Sequence, residues 1–275
     1  MTQTWARRVV APAVERRGAS LAVAVPGVLA AGAVLAQIAY PLLDAPGPAS
    51  NWLTAITIAS VLLFCAASVT HAGLTLGARA AATLLVVAGG IGLVAESVGV
   101  STGSPFGEYA YAGTLGPQLL GVPLLVPLAW TMMAYPTLLA GRLLAGRRSW
   151  AAVPLAAWAL ASWDLFLDPQ MVDAGHWTWA FGEPGLPGVD GIPLTNFAGW
   201  LLVALVIQAA LHALLPRHGS GSTAVPFVLL AWTWLGSTLA NAVFFGRPAV
   251  ALWGGAALGL VVGPALLAWR RDRSA

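Results

Sequence analysis

Long apolar segments separated by short polar ones occupy almost the whole chain, and this alternation limits its possible folds most strongly. A helix needs about 20 apolar residues to cross the hydrocarbon core of a bilayer. Eight stretches approach that length: Ser20 to Tyr40, Trp52 to His71, Ala78 to Val98, Gly121 to Leu144, Trp150 to Leu167, Leu194 to Leu214, Ala224 to Phe245 and Ala249 to Trp269. The sequence therefore predicts an all-α, polytopic transmembrane helix bundle of about eight spans, forming one membrane domain over residues 1–275.

The small charged fraction agrees with a lipid environment. Only 8% of the residues are charged, whereas soluble domains carry about 25%, and the mean hydropathy is +0.81. So few charges cannot cover a surface that faces water. The pI of ≈ 9.6 does not indicate nucleic-acid binding, because the basic residues lie between apolar segments and form no patch.

Arginine placement predicts the topology. All 13 basic residues are arginine. With the N-terminus in the cytoplasm and eight crossings, every arginine except Arg247 falls on the cytoplasmic side, as the positive-inside rule requires. Both termini of this multi-pass cell-membrane protein are therefore expected in the cytoplasm. A cleaved signal peptide in place of the first span stays open, since its removal would not change the later topology.

Three acidic residues are predicted inside the membrane, near the outer ends of two spans. Glu96 lies in the third span, and Asp164 and Asp168 lie four residues apart at the outer end of the fifth, which places both on one helix face. Two carboxyls in an apolar site do not readily ionise together, so one is expected to keep its proton. Because Asp168 precedes Pro169, we expect it where the helix ends and more exposed to water, which favours Asp164 as the proton donor. The alternative is pairing with a cation, but Arg247 is the only arginine predicted on that side. Acids within a membrane are functional by default, so the three are catalytic candidates in the outer half of the bundle.

The two longest loops, Gly99 to Leu120 and Asp168 to Pro193, are also predicted on the outer side. We expect them to fold over the ends of spans three, five and six and to exclude bulk water from the site. Their candidates for catalysis or for positioning substrate or water are Glu108, Tyr109, His176 and Trp177. Aromatic anchoring at the membrane interface is the structural alternative for these loops.

Three further residues are candidates near the acids. Asn196, at the start of span six, is suited either to capping that helix or to orienting a water molecule. Trp163 and Trp200 are suited to holding a cation against a ring face.

Missing motifs exclude several classes of protein. Without a lysine, no retinal Schiff base can form, and no paired Asp-rich motif for a magnesium diphosphate is present. The signatures of zinc proteases, serine hydrolases and P-loop nucleotide-binding proteins do not occur. The sequence therefore predicts no metal site and no cofactor.

Four segments resemble the CruF-type carotenoid hydratases, a family that includes bisanhydrobacterioruberin hydratase and the γ-carotene 1′-hydroxylases. The segments are GSPFGEYAY (Gly103 to Tyr111), the following GTLGPQLLGVP, DLFLDPQMVDAGHWTW (Asp164 to Trp179) and GIPLTNFAGW (Gly191 to Trp200). The resemblance covers roughly Glu96 to Trp200, and the first two and last two spans add only hydrophobicity to it.

The resemblance implies hydration of the terminal C1=C2 double bond of an acyclic carotenoid such as lycopene, γ-carotene or a bisanhydrobacterioruberin-like compound. A carboxylic acid would protonate C2, and water would capture the tertiary cation at C1. A cyclase that begins with the same protonation, and a transporter or binding protein for lipid or pigment, remain as alternatives. Product mass distinguishes them, because only hydration adds the mass of one water.

Overall fold

Helices dominate the structure. The computed structural model describes residues 24–43 and 51–274. Eight long helices run through these ranges: α1 (Ala24–Leu43), α2 (Asn51–Leu76), α3 (Ala78–Thr102), α4 (Leu125–Ala145), α5 (Ser149–Asp173), α6 (Leu194–Leu214), α7 (Ala224–Phe244) and α8 (Pro248–Ser274). All of them except α4 are long and apolar enough to cross a membrane. The prediction of an all-α membrane bundle of about eight spans is confirmed.

Some predictions fall on residues that the structure does not describe. They concern Asp44, the beginning of span one from Ser20 onward, and the arginines that precede that span.

Helix α4 lies at the centre of the bundle, in contact with α2, α3, α5 and α8. Most of its side chains are buried, including Trp130, Thr131 and Tyr135. A helix surrounded by other helices does not need the apolar surface that lipid contact requires. Its central position explains why α4 is less apolar than the other long helices in the described part of the chain.

Helix α5 is longer than predicted at the end that carries the acids. The sequence places its end at Leu167, because residues before a proline tend to leave the helical conformation. The helix instead continues to Asp173 with Pro169 inside it. A proline removes its own N–H from the hydrogen-bond ladder and crowds the carbonyl four residues earlier, but the helix continues past it, and the N–H of Ala174 donates to the carbonyl of Gln170. Asp168 therefore lies within the helix and is buried, which corrects the expectation of a wetter position at a helix end.

The predicted break between the last two spans is confirmed. Helix α7 ends at Phe244 and α8 begins at Pro248. Gly246 lies between them with φ 64°, in the left-handed region that glycine adopts without steric cost. This conformation allows the short connection between the two helices.

The two long loops meet at one end of the bundle. Strand β1 (Tyr109–Tyr111) follows α3 and strand β4 (Trp177–Trp179) follows α5, and the two pair antiparallel. A second pair, β2 (Gln118–Leu119) and β3 (Val122–Pro123), leads into α4. We refer to β1 and β4 together as the strap. Because α3 and α5 both end at the strap, it joins the two helices that carry the three intramembrane acids.

Phe106 fixes the strap to the helices beneath it. Its ring is almost fully buried and lies between two glycines, Gly99 of α3 and Gly199 of α6. A Cβ atom added at Gly99 or Gly199 would lie only 2.7 Å or 2.8 Å from the ring. Only glycine at these two positions leaves room for the ring, so the sequence permits a close contact between strap and bundle.

Candidate active site

Asp164 and Asp168 form a carboxyl pair on one face of α5. Both side chains are buried. The side-chain nitrogen of Asn196, on α6, donates to Oδ2 of Asp164 at 2.9 Å and to Oδ2 of Asp168 at 2.5 Å. One amide therefore holds the two carboxyls side by side. The four-residue spacing predicts this common face, and α6 supplies the shared donor.

Glu96 is surrounded by hydrogen-bond donors. The hydroxyls of Tyr109 and Tyr111 donate to its Oε2 at 2.5 Å and 2.8 Å, and the indole of Trp130 donates to Oε1 at 3.1 Å. Burial and the neighbouring Glu96 raise the pKa of Tyr109 and of Tyr111, so both phenols keep their protons. An ionised carboxylate only accepts hydrogen bonds, and this set of three donors matches it.

A cavity lies between the acids and the strap. Glu96, Asp168 and Asn196 line it, whereas Asp164 does not. Its other walls are mainly apolar and aromatic; the aromatic members are Phe106, Tyr109, Tyr111, Trp130, Trp177, Trp179 and Trp200. A ligand in this cavity would meet the carboxyls of Asp168 and Glu96 and would reach Asp164 only through Asp168.

Stacked indoles form part of the aromatic wall. The rings of Trp130 and Trp200 stack with centroids 3.9 Å apart, and Trp163 meets Trp200 edge-on at 6.0 Å. Indole faces attract cations. The arrangement therefore places ring surfaces suited to positive charge beside the carboxyls.

The strap covers the cavity on the side of the loops. Within it Tyr109 lies opposite Trp179 and Tyr111 lies opposite Trp177, so two of the three cross-strand pairs are aromatic. The indole nitrogen of Trp177 donates to Oδ1 of Asp168 at 3.2 Å. The strap thus touches Glu96 and the aspartate pair directly, and the expectation that the loops lie over the ends of α3 and α5 agrees with this geometry.

The structure brings most of the predicted residues together, and two lie elsewhere. Glu108 is exposed and does not line the cavity, and its backbone carbonyl accepts a hydrogen bond from Ala180. Its assignment as a catalytic carboxylate stays a prediction, and its side chain is not part of the cavity wall. His176 is buried beneath the loops, where Nδ1 lies 2.7 Å from the hydroxyl of Thr114. Burial lowers the pKa of this imidazole, so a neutral His176 supports the loop.

Two residues of the site are missing from the sequence-based prediction. Tyr111 follows Tyr109 by two positions, and the period of two in a strand would have placed both phenols on one face. Trp130 carried no such signal, since nothing in the sequence shows which of the 13 tryptophans turns toward an acid. Its contact with Glu96 depends on the central position of α4.

The arginine on the strap side pairs with an acid outside the cavity. Arg247 forms an ion pair with Asp173 at 2.5 Å, and its guanidinium lies over the ring of Phe245. Within the residues that the structure describes, no cluster of three or more His, Cys, Asp or Glu side chains is arranged to hold a metal ion. The three buried acids have hydrogen-bond donors as neighbours in place of a cation.

Fold and site together define a helical membrane protein with buried carboxyls facing an aromatic cavity. The family model described as "Carotenoid biosynthesis protein" matches residues 54–266. The match covers most of the chain, and the protein belongs to this family of carotenoid biosynthesis proteins.

A curated relative matches a shorter part of the chain. Bisanhydrobacterioruberin hydratase of Haloarcula japonica is 38% identical over 111 residues, which are 39% of this chain and 36% of the relative. The match thus spans little more than a third of the relative's length. No solved structure matches this chain significantly.

Proposed function

We propose that this protein is a carotenoid hydratase that adds water across the terminal C1=C2 double bond of an acyclic carotenoid end group. Membership of the carotenoid biosynthesis family supports the substrate class, and the name of the curated relative supports the reaction. The observation that carries the proposal is the contact of two separate acid groups, Asp168 and Glu96, with one aromatic cavity.

Asp168 is the proton donor in this proposal. It lines the cavity and shares the amide of Asn196 with Asp164. Two adjacent buried carboxyls repel each other when both are ionised, so the pair holds one proton between them. Asp164 acts through Asp168 because it does not reach the cavity itself. An Asp168 exposed to water would have favoured Asp164 as the proton donor. Because Asp168 is buried and lines the cavity, we assign the donor role to Asp168 instead.

The aromatic walls and Glu96 stabilise the cation. Protonation of C2 moves the alkene electrons to the new C–H bond and leaves a positive charge on C1, the more substituted carbon. The faces of Trp130, Trp177 and Trp200 are suited to attract that charge. The carboxylate of Glu96, held by its three donors, adds a fixed negative charge in a site of low polarity.

Water capture completes the reaction. An oxygen lone pair of one water forms the C–O bond at C1, and the proton that this water loses passes to Glu96. That proton then returns to the aspartate pair, so the enzyme is restored and the net change is one water added. A proton donor, a base and water suffice, so the reaction as proposed needs no cofactor.

The proposal is tested by expressing the protein in cells that make an acyclic carotenoid such as lycopene and weighing their pigments. Hydration adds the mass of one water for each end group that reacts. A product of unchanged mass but altered retention would indicate a cyclase. Pigments unchanged in both mass and retention would indicate a transporter or a binding protein, and either result would refute the proposal.

A further inference from the structure

A second cavity lies beside the acid site between α1, α2, α5 and α7. The two cavities share part of their walls, namely Thr57 and Val61 of α2 and Leu167 and Met171 of α5. The boundary between them is therefore only one layer of side chains thick.

The second cavity carries more polar groups than the first, although most of its wall is apolar or aromatic as well. The first is aromatic and apolar around its acids and their hydrogen-bond partners. The second carries hydroxyl and amide side chains from four helices, Gln37, Ser60, Gln170, Thr233, Ser237 and Asn241. A roomy cavity lined by several polar groups holds water, whereas apolar cavities stay dry. The polar side chains of the second cavity offer water hydrogen-bond partners that a hydrocarbon chain could not use.

Thr57, on the shared wall, has an unusual hydroxyl. Other helical threonines donate to the carbonyl one turn earlier, namely Thr70, Thr75, Thr102, Thr131, Thr137, Thr233 and Thr238. Thr57 is only 9% exposed, and its Oγ1 has no hydrogen-bond partner among the described residues. A buried polar group without a partner costs free energy. Its hydroxyl therefore needs a partner inside one of the two cavities that it lines.

We infer that the second cavity is a water vestibule, and that the Thr57 hydroxyl positions one water from it for attack on the carotenoid cation. This inference rests on the proposed hydratase function. Hydration consumes one water per end group, and the aromatic strap closes the other side of the acid site. Thr57 holds the water by a hydrogen bond and neither gains nor loses a proton in the reaction. The water's oxygen bonds to C1, and its proton passes to a carboxylate.

The test separates protonation of the substrate from capture by water. Protein in lipid vesicles is supplied with an acyclic carotenoid in heavy water, and two quantities are measured by mass. One is hydrated product, and the other is deuterium in recovered, unhydrated carotenoid. A cation that fails to meet water loses a proton from C2 and returns to the alkene, which leaves some molecules with deuterium at C2. Exchange therefore reports protonation even when hydration fails.

Thr57→Val keeps the shape of the side chain and removes the hydroxyl, whereas Thr57→Ser keeps the hydroxyl. Loss of one hydrogen bond predicts about a tenfold fall in hydration for Thr57→Val, with deuterium exchange retained or increased. Thr57→Ser should hydrate nearly as well as the wild type.

Unchanged hydration in Thr57→Val would overturn the inference. So would an equal loss of hydration and exchange, which would indicate a passage for the polyene chain or damaged packing. A wild-type protein that shows neither reaction would instead refute the proposed function.

Discussion

The hydroxyl of Tyr109, on a strand outside the helix bundle, donates a 2.5 Å hydrogen bond to Oε2 of Glu96 inside helix α3. This bond links the position of the strap to the surroundings of an intramembrane acid. The indole of Trp177 makes the corresponding link from the other strand to Asp168. The strap and the acid site are therefore joined by direct hydrogen bonds to both Glu96 and Asp168.

Asp168→Asn should insert normally and lose activity, because the amide keeps the size of the side chain without a proton of useful acidity. We expect a fall of about 10²-fold or more in the hydration rate, the usual scale for a lost acid–base group. Asp164→Asn should also lower the rate, and the double variant should be little worse than Asp168→Asn alone, since the pair acts as a unit. Single-turnover hydration in vesicles measures all three rates.

Asp173→Asn is the matched control for the aspartate pair. Asp173 lies on the same helix and is largely exposed, and its surface ion pair with Arg247 contributes little to stability. Its hydration rate should equal that of the wild type. Full activity of Asp168→Asn together with an inactive Glu96→Gln would show that Glu96 is the proton donor.

Glu96→Gln should lower hydration by about 10²-fold as well, because it removes both the fixed negative charge and the base. Tyr111→Phe removes only one of the three donors to Glu96 and should cost about tenfold. The two variants can be ranked by rate at equal protein abundance. A Tyr111→Phe rate below that of Glu96→Gln would mean that the phenol does more than orient the carboxylate.

His176→Ala should weaken the support of the strap by removing the contact with Thr114. Turnover should fall several-fold while protein abundance stays normal, because water then enters the site more freely. Glu108→Gln serves as the control in a neighbouring loop and should match the wild type, since its side chain is exposed. Equal losses in both variants would show that the carboxylate of Glu108 takes part after all.

The predicted orientation can be checked by cysteine labelling. Cys65, the single native cysteine, is buried and is replaced by alanine to give a silent background. Ser220 and Asp190 are both exposed, so Ser220→Cys and Asp190→Cys should react with an impermeant maleimide from opposite sides, Asp190→Cys from outside the cell. Labelling of both from one side would contradict the eight-span arrangement.

The helical architecture and the aspartate pair follow from local sequence rules, and other parts of the site do not. Hydropathy identifies the spans, and the i, i+4 spacing predicts the common face of Asp164 and Asp168. The end of α5 is misplaced because tertiary packing keeps Pro169 inside the helix. The bond from Trp130 to Glu96 joins residues 34 positions apart, and such a contact depends on how the helices pack.

The central claim is that Asp168 protonates a carotenoid and that solvent water captures the cation. The most direct measurement supplies vesicle-embedded wild-type protein with an acyclic carotenoid in water labelled with heavy oxygen, and then weighs the product. The account predicts a product that carries one heavy oxygen per hydrated end group, and a rate that falls about 10²-fold in Asp168→Asn. Carotenoid recovered without heavy oxygen, or full labelling by Asp168→Asn, would contradict it.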